Sequence, residues 1–203
     1  MLLRKSIPLV VLLVAVLFAF MTAPGPARAA GPSSATYAIP LDNPNPVYSV
    51  SGVAITPAST PTDVVVLWGS ATKVVKVRKI IVSGVAASAG TMDVSIVKRT
   101  AANTGTTATF PTAGKFDSLD SANTASPVLY TANPTLGAGI SLRTKKLNFG
   151  VAGAAGTVVF DFAANNDKPL ILRGVTQGAA INFNGGSVPT SGVISYEVEF
   201  EEI

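Results

Sequence analysis

Apolar and polar positions alternate most clearly near the end of the chain. Ile194, Tyr196, Val198 and Phe200 fall on one side of a period of two, and Ser195, Glu197, Glu199 and Glu201 on the other. That spacing predicts a strand with one buried and one wet face. Thr91–Arg99 repeats it, with Met92, Val94 and Ile96 set against Asp93 and Ser95. A slip of one residue there would bury the acid, so the register is well specified. Strands are also predicted at Val47–Ile55, Asp63–Gly69, Lys73–Ser83, Pro127–Thr131, Ile140–Phe149, Thr157–Phe162, Leu170–Gly174, Ala179–Asn184 and Val193–Glu201. Each is rich in β-branched or aromatic residues and bounded by Gly, Pro, Asn or Ser. Val64-Val65-Val66-Leu67-Trp68 is apolar on both faces, which predicts either a central strand covered on both sides or a strand at a subunit interface. No segment has the period of a helix beyond one turn at Phe116–Ala122. The expected fold class is therefore all-β, a single β-sandwich of jelly-roll type over residues 47–203.

The N-terminus obeys a different rule. Arg4 and Lys5 precede an apolar run from Ile7 to Met21, Pro24-Gly25-Pro26 breaks it, and Ala27-Arg28-Ala29 has the small-x-small pattern of a cleavage site. These features predict a cleavable signal peptide at 1–29. The run is shorter than the roughly 20 residues of a spanning helix, so no membrane span is expected after cleavage. No cysteine comes after it to carry a lipid. Residues 30–46, with Pro40, Pro44 and Pro46 close together, are expected to form an extended arm or linker.

Three of the chain's 15 Lys and Arg (Arg4, Lys5 and Arg28) fall in the signal, which holds no acid. Residues 30–203 carry 12 basic and 11 acidic side chains, a net of +1. That balance calls for neither nucleic acid nor an anionic membrane as partner. The chain has no cysteine and no Asn-x-Ser/Thr acceptor. An exported, disulfide-free protein points to a secreted, periplasmic or cell-surface location in a bacterium.

The absence of His and Cys removes Ser-His-Asp and Cys-His catalysis and the usual zinc ligands. No cofactor is expected. Catalysis would be left to carboxylates, as in glycoside hydrolysis, but the acids read mainly as solvated surface groups. Asp117, Asp120 and Asn123 place oxygen ligands at three-residue spacing and form a calcium candidate; the alternative is a capped polar turn. The glycines of Gly150–Gly156 open no helix and precede no Lys-Ser/Thr, so a hairpin connection is expected there rather than a phosphate cradle. Lys73, Lys76, Arg78 and Lys79 form a basic cluster in which Lys76 and Arg78 share a face and Lys79 lies opposite. It is a candidate ligand or interface surface, or else a charged edge. Of the aromatics, Tyr196 belongs with the core, Tyr130 is a candidate for stacking on a sugar, and Trp68 is the best candidate for a ligand platform or an interface anchor.

Several stretches, among them Gly69–Gly84, Asp93–Gly105, Tyr130–Gly137 and Ile171–Gly178, resemble small uncharacterised all-β proteins of bacterial and phage or prophage genomes. The resemblance spans about residues 60 to 202 of the 203. It implies a β-sandwich with a structural or virion-associated role and transfers no site residues. The expected function is an exported, non-catalytic structural or surface-assembly subunit that associates with itself or with another surface protein. A carbohydrate-binding or adhesion module with a glycan partner is the alternative, and a carboxylate-only glycoside-active enzyme the third reading.

Overall fold

The computed structural model describes residues 45–54, 56–150, 154–164, 168–186 and 188–203. The predicted signal, and all of the arm but Asn45 and Pro46, lie outside the described residues, as do Ile55 and residues 151–153 of the Gly150–Gly156 loop.

Twelve strands are described: β1 (Val47–Ala54), β2 (Pro61–Trp68), β3 (Val74–Val85), β4 (Gly90–Arg99), β5 (Ala108–Thr109), β6 (Gly114–Lys115), β7 (Ser126–Tyr130), β8 (Gly139–Phe149), β9 (Gly156–Asp161), β10 (Leu170–Arg173), β11 (Gly178–Asn184) and β12 (Val193–Glu202). All ten predicted strands are present. The short strands β5 and β6 are additional, because two residues are too few to show a period. No α-helix occurs among the described residues, and none of their segments is a helix able to cross a membrane.

The protein is all-β, with two antiparallel six-stranded sheets. The first runs β10-β3-β12-β1-β6, with β9 also pairing β3; the second runs β5-β7-β2-β11-β4-β8. The pairings nest: β1 pairs β12, β2 pairs β11, β3 pairs β9 and β10, and β4 pairs β8. Successive pairs alternate between the sheets, as though one long antiparallel ribbon had been rolled up. Residues 100–138 form an insertion between β4 and β8. Its β7 extends the second sheet beyond β2, and its β6 extends the first sheet beyond β1.

Both sheets contribute to one core. Tyr48, Ile80, Phe160 and Phe200 come from the first sheet, and Leu67, Ile96, Phe149 and Phe183 from the second. The even-numbered residues of β12 point inward as the alternation requires. Tyr48 stacks on Phe200 with ring centroids 5.3 Å apart, and its hydroxyl donates to the Ser121 carbonyl at 2.9 Å, tying the insertion to the core. Along the opposite side, β8 reaches across to β9. Lys145 Nζ donates to the Val159 carbonyl at 2.6 Å and Arg143 Nη1 to the Asp161 carbonyl. The two side chains lie over Phe160 and Phe162. Long basic side chains thus shield the apolar seam while keeping their charges wet.

The alternation fails once in β3. Between Val77 and Lys79 the register with β12 shifts by one residue, leaving Arg78 as a β-bulge. The core positions are consequently Val75, Val77, Ile80 and Val82. Lys79 therefore lies opposite Glu199 on the same outer face as Lys76, which lies opposite Glu201. This corrects the expectation that Lys79 points away from Lys76, since an extra residue reverses the period downstream of it. Nor is β3 an edge: β12 flanks it on one side and β9 and β10 on the other.

Gly84 of β3 faces the core where Phe149 fills the space; an added Cβ would lie 2.4 Å from Phe149 Cε1. At Gly114 in β6 the nearest atom to such a Cβ is the Ser49 carbonyl oxygen at 3.7 Å. Gly84→Ala is expected to lower stability in urea by roughly 1–3 kcal/mol through overpacking, and Gly114→Ala by less than about 0.5 kcal/mol. Equal losses would mean that Phe149 does not pack against β3.

Candidate functional site

The outer face of the second sheet is also apolar. Val66 and Trp68 of β2, Val97 of β4, Val128 and Tyr130 of β7 and Ala180 of β11 form a second buried cluster, with Ala108 of the insertion packed on it. The run Val64–Trp68 is thus the central strand covered on both sides: the first sheet covers one face and the insertion the other.

A second bulge organises the polar end of this face. Val65 pairs Ile181 while Asp63 pairs Asn182, so Val64 is the extra residue. An unbroken period would send Asp63 into the core with Val65 and Leu67. The bulge turns it outward, beside Asn182 and toward Arg99. Asp63 is fully buried, and its carboxylate accepts four hydrogen bonds. Arg99 donates Nε to Oδ2 at 2.8 Å and Nη2 to Oδ1 at 2.7 Å. Asn103 Nδ2 donates to Oδ2 and Asn182 Nδ2 to Oδ1, each at 2.7 Å. Arg99 Nη1 also donates to the Gly137 carbonyl at 2.7 Å, and the Gly137 amide donates to Asn103 Oδ1 at 2.8 Å. Both ends of the insertion are thereby fastened to β2 and β4. Every described buried side-chain polar atom has a partner, as a buried ion pair requires.

Beside this network the insertion and the sheet leave a cavity of about 410 Å³. Its aromatic walls are Trp68, Tyr130 and Phe110, and Asn103, Thr106, Thr124 and Ser126 add neutral polar groups. Trp68 is 8% exposed and Phe110 is 72% exposed, so one forms the floor and the other the rim. Burial pushes the Tyr130 phenol above its ordinary value. Hydrogen bonding with Asn103 opposes that shift, the Asp63 charge adds to it, and Trp68 and Arg99 oppose it. Tyr130 is neutral and able to donate. No charged side chain lines the cavity among the described residues.

Compared with known proteins, the chain matches no family model, no curated protein and no solved structure.

The other sequence candidates stand apart from this cavity. Lys76 pairs Glu201 at 3.1 Å, Arg78 pairs Glu199 at 3.5 Å and Lys79 pairs Glu199 at 3.6 Å. The basic cluster is therefore the cross-strand complement of the glutamates of β12. Glu201, expected on the wet face, is buried beneath these pairs, and so is Glu202, which accepts from the amides of Thr124 and Ala125 at 2.7 Å and lies 3.3 Å from Lys73 Nζ. Asp117 Oδ1 accepts from the Leu119 amide at 2.9 Å, and Asn123 Nδ2 donates to the Ala125 carbonyl at 2.6 Å. Asp120 gives its carbonyl to Lys115. These are local turn contacts, and no cluster of metal-ligating side chains occurs among the described residues. Tyr196 is in the core. Sequence reasoning missed Asn103 and Phe110, which carry no local signal, and also Asp63, whose position against an apolar run was the available cue.

Arg99→Met leaves the Asp63 carboxylate buried without its cation and is expected to cost roughly 3–5 kcal/mol in urea denaturation. Lys146→Met, which breaks the exposed 2.7 Å pair with Asp93, is expected to cost less than about 1 kcal/mol. Similar losses would show that water reaches Asp63.

Proposed function

We propose that this chain is an exported, non-catalytic β-sandwich of jelly-roll type that binds a neutral sugar ring at the Trp68 cavity. Nested strand pairs that alternate between two facing sheets support the jelly-roll reading. An architecture names no activity by itself, so the function rests on the site. The observation that carries it is the cavity's composition: three aromatic side chains and four neutral polar ones. Sugars present C–H faces that pack on aromatic rings and hydroxyls that pair with amides and hydroxyls, and a site with few charges suits them. The signal pattern at 1–29 supports a location outside the cytoplasm.

Trp68 is the chain's only tryptophan, so its fluorescence reports on the cavity directly. Titration with a panel of neutral oligosaccharides is expected to shift the emission for at least one of them. Phe110→Ala, at an exposed rim position, is expected to weaken that binding about tenfold without lowering the melting temperature. Silence across the panel and on a glycan array would sink the proposal.

Surface assembly is the second reading, and one observation favours it. Phe116 and Leu119, on the turn after β6, are 64% and 91% exposed, a display of large apolar groups suited to another protein surface. Light scattering should then show association that Leu119→Ser abolishes; a monomer at all concentrations would remove this reading.

A further inference from the structure

The cations of the described structure fall into two groups. Lys73, Lys76, Arg78, Lys79, Arg99 and Lys146 each lie within 4.0 Å of a carboxylate. Lys98, Lys115, Arg143, Lys145, Lys168 and Arg173 have no such neighbour among the described residues. Lys98, Arg143, Lys168 and Arg173, all of the second group, line a single cleft of about 530 Å³ between the end of β4, β8 and β10. Phe162, Gln177 and apolar residues of β8 and β10 make up the rest of its walls, and no carboxylate lines it among the described residues.

Two of these cations are held in place by neutral partners. Lys98 Nζ donates to the Ile171 carbonyl at 2.9 Å. Arg143 lies over the Phe162 ring at 4.6 Å and donates to the Asp161 carbonyl. The Asp161 carboxylate is engaged elsewhere, accepting from the Ala163 amide at 2.9 Å. An ammonium has three N–H donors and a guanidinium five, so both retain donors. Four like charges in one concave site repel each other and focus a positive potential, which a bound anion relieves. The cleft also borders the aromatic cavity. Arg173 and Gln177 line the cleft, whereas Val175, between them on the same turn, lines the cavity.

We propose that this cleft is an anion subsite for an acidic saccharide, taking a sulfate, phosphate or carboxylate group of a glycan whose neutral ring occupies the neighbouring cavity. The saccharide part rests on the sugar-binding reading above; the anion part stands on the four cations alone. Guanidinium and ammonium donors suit oxyanions, and hydrogen bonds between charged groups are the strong ones.

The test compares dextran sulfate oligosaccharide with unmodified dextran of equal length, by calorimetry on the full exported chain. At low salt the sulfated ligand is expected to bind at least about tenfold tighter, and added NaCl should narrow the gap. K168S/R173S is expected to abolish the gap. Both side chains are exposed and make no side-chain hydrogen bond among those described, so the melting temperature should hold. K115S, which removes a cation outside the cleft that likewise has no carboxylate neighbour among the described residues, should leave the gap intact. Equal affinities, or a gap that survives K168S/R173S, would overturn the proposal, as would the same loss in K115S. If dextran sulfate binds through Lys168 and Arg173 while no neutral sugar binds at all, the anion site stands and the aromatic-cavity reading falls.

Discussion

The second sheet has two apolar faces, and the first sheet can keep water from only one of them. The rest of the molecule depends on that constraint. Val66, Trp68, Val97, Val128 and Ala180 would otherwise present a flat hydrophobic surface, and the insertion packs against them through Ala108 and the residues around it. A covering loop has to be anchored, and a sheet face offers few polar handles. Asp63 supplies one, because the bulge at Val64 turns it out of the core and into reach of Arg99, Asn103 and Asn182. Glu202 and Tyr48 hold the middle of the same insertion through Thr124, Ala125 and Ser121. The cavity lies between these two fastenings, where cover and sheet do not quite meet.

Much of the fold was legible in the sequence, because a strand with one wet face advertises itself every second residue. β12 is of that kind along most of its length; β4 keeps the alternation, but its second face is covered, with Ser95, Val97 and Arg99 all buried. The double-sided run Val64–Trp68 was legible too, although only the structure shows which element covers its outer face. The bulges were not legible: a period of two is a rule for uninterrupted pairing, and one extra residue at Val64 or Arg78 reverses it without altering the local composition. Strict alternation therefore puts Lys79 on the wrong face and gives no hint of where Asp63 points.

The sites divide in the same way. Trp68 stands out by its chemistry and its neighbours. Phe110 and Asn103 do not, because they belong to an insertion with almost no periodic structure. The cationic cleft is least visible of all: Lys98, Arg143 and the pair Lys168 and Arg173 come from three separate segments, and the near-zero net charge of residues 30–203 calls for neither nucleic acid nor an anionic membrane. Net charge is an average, however. Because Lys76, Arg78 and Lys79 are neutralised by β12, the conspicuous basic cluster is electrically quiet and the scattered cations are the ones left without a carboxylate.

The nested pairing also sets an order of events. β12 lies between β1 and β3 in the first sheet, so the first and third strands of the fold have no common partner until the twelfth has been made. Closing the first sheet therefore joins Val47 to Glu201 across nearly the whole described structure, and contacts of such long sequence separation slow folding. Because β12 sits in the middle of the first sheet, that sheet cannot be completed from strands adjacent in sequence alone.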